Sequence, residues 1–599
     1  MEISIVRTNK CDVLKKILNS KKFDKYIFLG KNPVLGNDIE SFFHNKIEKI
    51  PFSKKFIDIQ YKFRDNYINF IDHIEKNEFN DIWWNTRLSG KNPWISFAYF
   101  RLCQLLLIKE ILKKTIKENI KLLIIFEEEC VFNSACELIK REFNCKIEKI
   151  VFNDYSKFKL IISGVIRRIL ALPFYLYKIL ILKIIFRGFK TKDFLLNKVF
   201  VFSFLDSRCF KKNDFIDPFL GKFLKKINLN QSISYIPVLY DISIKKLLVF
   251  RKWIINNKYS ATFLPFHFTF RGLFFEFFKL NFTFKKNVNY FEKINLSAII
   301  ERERLEEWSD FNLQNFLVRS LSEKIKKSRN NKLIVYPFEN QIWERNMLSV
   351  FNNDKFTKVF GVQNAPSPKL SLRYFISNQV INSLPLPNYI FVTGKISYEN
   401  LVEFYGKNIL RLTSTSRKII NDNDNANANV DRKNNIMVAC SISIIESQEL
   451  IMFVCKSLKG CTKFEVKIIP HPLAKFNFKK FLKQIKAPSH FCISNNYDYN
   501  LKHCKFIVFD SSTAGIEGLL NGMIPIRIAN NYMLNVNPSE YDTQFTKYAY
   551  NSKDFMSIIS ECDSFDKGYK NVGLNYYKTE ESKEFNDAIS EIEFLSYEK

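Results

Sequence analysis

The 12 cysteines of this 599-residue chain are scattered, and no CxxC pair occurs among them. In a chain of this size they read as reduced, mostly buried thiols of a cytoplasmic protein. The 6 histidines are equally dispersed, and none has metal-ligand spacing, so no metal is expected. The opening MEISIVRTNKCDVLKK lacks the apolar stretch of a secretory signal. Long apolar runs are missing too. In the most apolar segment the longest uncharged run is Ile169–Tyr177, far short of the roughly 20 residues a spanning helix needs. Acidic residues are the remaining shortage: 61 Asp and Glu against 92 Lys and Arg leave a formal charge of +31.

That charge draws the protein toward polyanions, whether nucleic acid, anionic lipid or phosphorylated substrates. No helix-turn-helix, zinc-finger or RNP-like pattern accompanies it, which argues against specific nucleic-acid reading and for an anionic membrane surface. Hydrophobic residues make up 46% of the chain, so it folds, and its length calls for two or three domains. The 61 Phe, with many Lys, Asn and Ile, also fit an AT-rich genome, so a single aromatic or basic cluster does not by itself mark a site.

Residues 1–156 read as an α/β unit. Apolar runs at Lys25–Leu29 and Leu122–Phe126 predict strands, and Trp94–Lys114 has helical apolar spacing. Alternating helix and strand is the pattern of a parallel sheet covered by helices. Residues 157–192 differ, with nine Lys or Arg, no acid, and Pro173 inside. Two readings stand side by side: an amphipathic helix on a membrane surface, or a basic helix packed on its own domain. A second α/β stretch, 193–384, opens on the strand-like KVFVFSFLD. Within it Ile242–Phe291 interleaves nine Lys or Arg with Phe and Trp against one acid, Glu276. Core aromatics and a membrane- or acceptor-facing surface both produce that pattern. LPLPNYIFVTG (Leu384–Gly394) reads as a proline-marked crossing into a further Rossmann-like domain, 385–599. Asn421–Val430 reads as a polar low-complexity loop.

FEVKIIPHPLAKF places His471 and Pro472 directly after an apolar strand. Side chains just past the carboxyl ends of parallel strands line the ligand crevice. An imidazole there can donate to a phosphate oxygen or protonate it as it leaves, although a lone histidine after a strand is more often a structural residue. In KFIVFDSSTAGIEGLLNGMIPI a strand ends at Asp510, and Ser511, Ser512 and Thr513 form a hydroxyl-rich turn into a helix. The turn is either an anion site or a plain helix cap. Glu517, one turn on, can accept from ribose hydroxyls.

The two segments together, strand–His–Pro then strand–Ser–Ser–Thr–helix, resemble GT-B glycosyltransferases that use CMP-sugars: bacterial sialyltransferases, polysialyltransferases and capsular Kdo transferases. The resemblance implies two Rossmann-like lobes facing a cleft, 193–384 on the acceptor side and 385–599 on the donor side. The N-terminal α/β unit and the basic amphipathic segment are extensions to that plan. It also implies that His471, with Pro472, Ser511 and Ser512, holds the CMP phosphate, that Thr513 stands beside them, and that Glu517 holds the ribose. One departure is that Pro525 stands eight residues after Glu517, where a common GT-B helix has seven.

On the acceptor side, IVYPFENQIWERN sets Glu339, Asn340 and Gln341 just past a strand, and VFGVQNAPSPKLSLRYF sets Gln363 and Asn364 past the next. Related capsular enzymes carry a QHG-like turn there; Asn364 stands where the histidine would be. The spread from DIWWNTRLSGKNPWIS to the HP and SS motifs also resembles a family of surface carbohydrate biosynthesis proteins. Inverting transfer needs a base near the acceptor hydroxyl. Glu339 is the first candidate, and Glu127, Glu128 and Glu129 are the reserve. The expectation is an enzyme peripheral on the inner face of the cytoplasmic membrane, with no bound cofactor. It moves a nonulosonic acid or Kdo-like sugar from a CMP-activated donor to a glycan or glycolipid of capsule, O-antigen or lipooligosaccharide. The alternatives are a CDP-glycerol or CDP-ribitol polyol-phosphate transferase and a non-catalytic GT-B scaffold.

Overall fold

The computed structural model describes residues 2–577 apart from short stretches, of which 222–232, 275–289, 414–431 and 562–572 are the longest. The loop expected at Asn421–Val430 lies outside the described residues.

Three parallel sheets follow one another. The first contains β1 (Glu2–Arg7), β2 (Lys25–Leu29), β3 (Glu48–Lys49), β4 (Lys121–Phe126) and β5 (Lys146–Val151) in the order β3-β2-β4-β1-β5. Its long helix α1 (Ala98–Glu118) is apolar around most of its N-terminal half, which is buried on all sides. A 30-residue helix, α2 (Ser156–Ile185), leads out of this unit.

The middle sheet uses β6 (Val199–Leu205), β7 (Ile233–Leu239), β8 (Ser260–Ala261), β9 (Lys332–Pro337), β10 (Thr357–Val362), β11 (Tyr389–Thr393) and β12 (Leu410–Thr413). Between them run α3 (Ile244–Asn256), α4 (Ser297–Ser309) and α5 (Ile342–Phe351). β6, VFVFSFL, does not alternate in polarity and is buried throughout, as a parallel strand covered on both faces must be. The order is β8-β7-β6-β9-β10-β11-β12, so the chain reverses direction across the sheet between β6 and β9.

The third sheet repeats the plan with β13 (Lys433–Ala439), β14 (Glu465–Ile469), β15 (Phe491–Ile493), β16 (Cys504–Phe509), β17 (Ile524–Ile528) and β18 (Lys547–Ala549). Helices α6 (Ile444–Ser457) and α7 (Ala514–Leu520) follow β13 and β16. The order β15-β14-β13-β16-β17-β18 is that of a dinucleotide-binding Rossmann sheet, with its switch point between β13 and β16. The chain is therefore an α/β protein with two Rossmann-like lobes, the GT-B plan, preceded by an extra α/β unit.

The boundary expected at 385 is corrected. β11 and β12 pair in parallel with β10 and complete the middle sheet, so the crossing to the third sheet lies beyond Thr413. The prolines of Leu384–Gly394 feed a strand rather than mark a linker. Nor is the N-terminal unit a loose appendage, because it shares one continuous hydrophobic core with the middle lobe. The third lobe has cores of its own. After it the chain returns to the middle lobe, where Tyr576 packs so closely on Gly394 (φ +86°) that no Cβ would fit.

Candidate functional site

In the third lobe, β13 is in register with both neighbours: Ala439 pairs with Ile469 on one side and with Phe509 on the other. Two residues beyond these pairs Ser441, His471 and Ser511 stand abreast at the switch point. In strand order Ser441 stands between the other two. His471 Nδ1 accepts the Leu473 N–H at 3.2 Å, which leaves the proton of the neutral ring on Nε2. The Ser511 hydroxyl donates to Glu446 at 2.6 Å and lies 3.3 Å from the Ser441 hydroxyl. Ser512 Oγ accepts the Ala514 N–H at 3.3 Å. Thr513 caps α7 through its backbone position, without a side-chain cap bond. Glu517 accepts from the Tyr497 hydroxyl at 2.7 Å. The turn sits this close to β16 because a Cβ on Gly515 would strike the Phe509 ring and one on Gly518 would strike Ile507.

Glu446 is the residue that reasoning from sequence missed. It sits in the first turn of α6, and Ser443 caps that helix by accepting the Glu446 N–H at 3.4 Å. The Ser-x-x-Glu spacing of a capping box was present in SISIIESQEL. The side chain does not reach back to the cap; it runs under the cleft, where Trp94 of the N-terminal unit donates its indole N–H to it at 3.1 Å. Burial, with the Asp510 carboxylate nearby, pushes the Glu446 carboxyl up to about 7. Asp510 is itself buried and held by Arg527 at 3.1 Å and by Asn530 at 2.5 Å.

Across the cleft, the middle lobe presents the ends of β6 and β9, its own switch point. Asp206 grips Arg208 through two oxygens at 2.6 and 3.1 Å. Between them Ser207 donates to the Pro472 carbonyl at 3.3 Å, and Asp241 pairs with Lys475 at 3.0 Å, so the His471 loop touches the facing lobe. Glu339 is partly exposed and accepts from Gln341 at 2.5 Å and Arg373 at 3.1 Å. The Arg373 guanidinium lies 5.6 Å from the centre of the Trp94 ring. A continuous relay thus runs Glu339–Arg373–Trp94–Glu446–Ser511 from one lobe to the other.

Several residues assigned to the acceptor side serve the fold instead. Asn340 is buried in a left-handed turn (φ +53°), with Oδ1 taken by Arg345 at 3.1 Å and Nδ2 by the Arg373 carbonyl at 2.5 Å. The buried Glu344 accepts the Asn340 N–H at 2.8 Å and the Glu339 N–H at 3.1 Å; burial raises its carboxyl well above the usual range. Gln341 Oε1 accepts from the Trp343 indole at 3.2 Å. Gln363 and Asn364 are buried beyond β10, and the Gln363 amide has no hydrogen-bond partner among the described residues. The reserve acids are structural too. Glu127 accepts the Lys31 and Asn32 N–H groups at 2.6 and 3.0 Å. Glu128 is held well below the usual carboxylate range by Arg101 and Lys31, and Glu129 pairs with Arg7 at 3.2 Å.

No protein-family model matches the chain, and no curated protein is similar to it in sequence. Among solved structures, a glycosyltransferase from Rickettsia africae is 10% identical, with a TM-score of 0.37, over 67% of this chain and 100% of its own. The UDP-GlcNAc 2-epimerase from Neisseria meningitidis, bound to UDP-GlcNAc, is 9% identical, with a TM-score of 0.36, over 67% and 100%. The glycotransferase of kitacinnamycin is 9% identical, with a TM-score of 0.38, over 67% and 99%. Likenesses this distant assign no substrate or residue role to the chain.

Proposed function

We propose that the chain is a glycosyltransferase that holds a nucleotide-activated sugar on its third lobe and transfers the sugar to an acceptor lying against the middle lobe. The observation that carries this reading is the alignment of His471, Ser441 and Ser511 at one switch point, facing the ends of β6 and β9 across the cleft. The donor is a CMP-sugar of the nonulosonic acid or Kdo type. Its phosphate lies between His471 Nε2 and the Ser511–Ser512 hydroxyls, its ribose lies toward Glu517, and Thr513 closes the turn. His471 donates to the departing phosphate, so the leaving charge meets a fixed donor rather than reorganising water.

Glu339 is the base. It is a carboxylate on the opposite wall with an exposed edge, and Arg373 and Gln341 fix its direction. Glu446 positions the Ser511 hydroxyl. The acceptor is a glycan or glycolipid of a surface polysaccharide. The His–Pro loop also suits a CDP-glycerol or CDP-ribitol donor, in which the same hydroxyls meet the inner phosphate.

A thermal-shift panel of CMP, CDP-glycerol and UDP tests the donor, since a ligand that binds the folded state alone raises the unfolding temperature by mass action. A shift with CMP that is lost in His471→Ala supports the reading. A shift with CDP-glycerol alone moves the chain to the polyol-phosphate class, and no shift with any nucleotide leaves a non-catalytic scaffold.

A further inference from the structure

We infer that α2 and α3 together form a docking face for an anionic lipid bilayer. α2 exposes Phe158, Ile161, Ile162, Val165, Ile166, Ile169 and Leu170, the i, i+3, i+4, i+7 pattern of a single helix face. Past Pro173 the exposed apolar side chains continue to Ile184. Ile169 and Ile184 are 66% and 65% exposed, values that a soluble surface rarely shows along a whole helix.

The helix cannot turn this face inward, because its other side is locked on α4. Gly164 lies against the Trp308 ring with no room for a Cβ. Arg168 is buried over that ring at 4.1 Å and donates to the Trp308 carbonyl at 2.6 Å, while Arg167 pairs with Asp310 at 2.6 Å. Leu182, Ile185 and Phe186 enter the core. α3 packs beside the C-terminal half of α2 through Phe250 and Phe186, 6.2 Å between ring centres. It exposes Ile244, Leu248 and Ile255. Phe268 stacks on Tyr175 at 6.2 Å and is followed by Phe270, 75% exposed.

Charge selects the occupant. Of the six Lys or Arg on α2, Arg167 and Arg168 are held on α4 and Lys157 pairs with Glu301 at 3.6 Å, which leaves Lys159, Lys178 and Lys183; α3 carries four, and neither helix contains an acid. Two copies meeting on this face would oppose like charges, whereas an anionic leaflet supplies both an apolar interior and a negative surface. α2 spans about 45 Å, yet among the described residues no helix is long and apolar enough to cross a membrane, so the geometry is that of a helix lying in the interface. Asp241, just before α3, pairs with Lys475 of the His471 loop, so the rim of the interlobe cleft borders the same surface.

The test is flotation of the full chain with vesicles of phosphatidylcholine alone or with phosphatidylglycerol. The expected result is flotation with the anionic vesicles only, weakening as salt rises to about 0.15 M, where the Debye length is about 8 Å. Ile166→Asp with Ile169→Asp should reduce it at least tenfold. Both side chains are exposed, so the unfolding temperature should stay unchanged. Lys159→Glu with Lys183→Glu should weaken flotation at low salt and flatten its salt dependence, since less attraction is left to screen. Equal flotation with neutral vesicles, undiminished flotation of the Asp pair, or a wild-type dimer that the Asp pair disperses while neither protein floats would each overturn the inference. None of these outcomes depends on the donor assignment, which nucleotide binding reads separately.

Discussion

Replacing Glu446 by Gln removes one buried carboxyl from beneath the cleft and leaves its neighbour Asp510 in place. The variant keeps an oxygen for the Trp94 indole, and its amide can donate to Ser511, whose hydroxyl can turn toward Ser441, 3.3 Å away. It therefore removes the titration while leaving the contacts satisfied. With the carboxyl raised from 4.5 to about 7, the folded protein binds a proton that the unfolded chain has released between those values. The stability that Glu446 contributes is present in full below the unfolded value and lost as pH rises to 7, about 3 kcal/mol at 1.36 kcal/mol per unit. Relative to wild type, Glu446→Gln should gain up to that amount between pH 4.5 and 7 and no more above it. If the third lobe melts on its own, this corresponds to about 6–12 °C at 2–4 °C per kcal/mol. The assay is calorimetric melting of both proteins at half-unit steps from pH 4.5 to 8.5, with infrared detection of a protonated carboxyl that titrates in the wild type alone. A melting difference that does not vary with pH would refute the burial argument.

The other expectations follow from the same geometry. His471→Ala should weaken CMP binding and slow transfer together by about ten- to a hundredfold, the worth of a charge-assisted hydrogen bond of roughly 1.5–3 kcal/mol; a nucleotide titration beside a transfer assay reads both. Glu339→Gln should leave nucleotide affinity unchanged and lower transfer by about 10²–10⁴; equal loss of affinity would place Glu339 in the donor site instead. Trp94→Phe keeps the ring but deprives a buried carboxylate of a donor. It should destabilise by about 1–3 kcal/mol at pH 8 and by less at pH 5, where Glu446 is protonated; unfolding midpoints at the two pH values decide.

Much of the fold was legible because strand signals here are local. Lys25–Leu29 and Leu122–Phe126 were apolar runs that burial on both faces requires, and the strands lie there. His471 and Ser511 were placed past strand ends by the same logic, and register brings them abreast. The boundary at 385 was misread because prolines signal a break in secondary structure, not a break in a sheet; whether the next strand joins the old sheet is a long-range pairing. Asn340 looked like a cleft residue because position after a strand does not reveal which way a side chain points. Its left-handed turn, fixed by the buried Glu344, sends it inward. Glu446 was hidden by its own helix cap, since a capping-box glutamate ordinarily turns back to its cap. The partner that diverts it, Trp94, lies 352 residues away in sequence.

That distant partner gives the N-terminal unit a place in the site. This unit shares a core with the middle lobe, whereas most of the third lobe packs around cores of its own. The unit also meets the third lobe at Tyr61–Glu540 (2.8 Å) and Gln60–Asn535 (2.8 Å), so it bridges both. Among these bridges Trp94–Glu446 is the one that ends on the group holding Ser511. An ionised Glu446 accepts the indole proton more strongly than a neutral one. On the donor site proposed above, the same negative charge would oppose a phosphate beside Ser511, whereas protonation relieves the repulsion and weakens the bridge. All three parts of the chain thus meet here: the third lobe carries Ser511 and Glu446, the middle lobe carries Glu339 and Arg373, and the N-terminal unit supplies the Trp94 that lies between them.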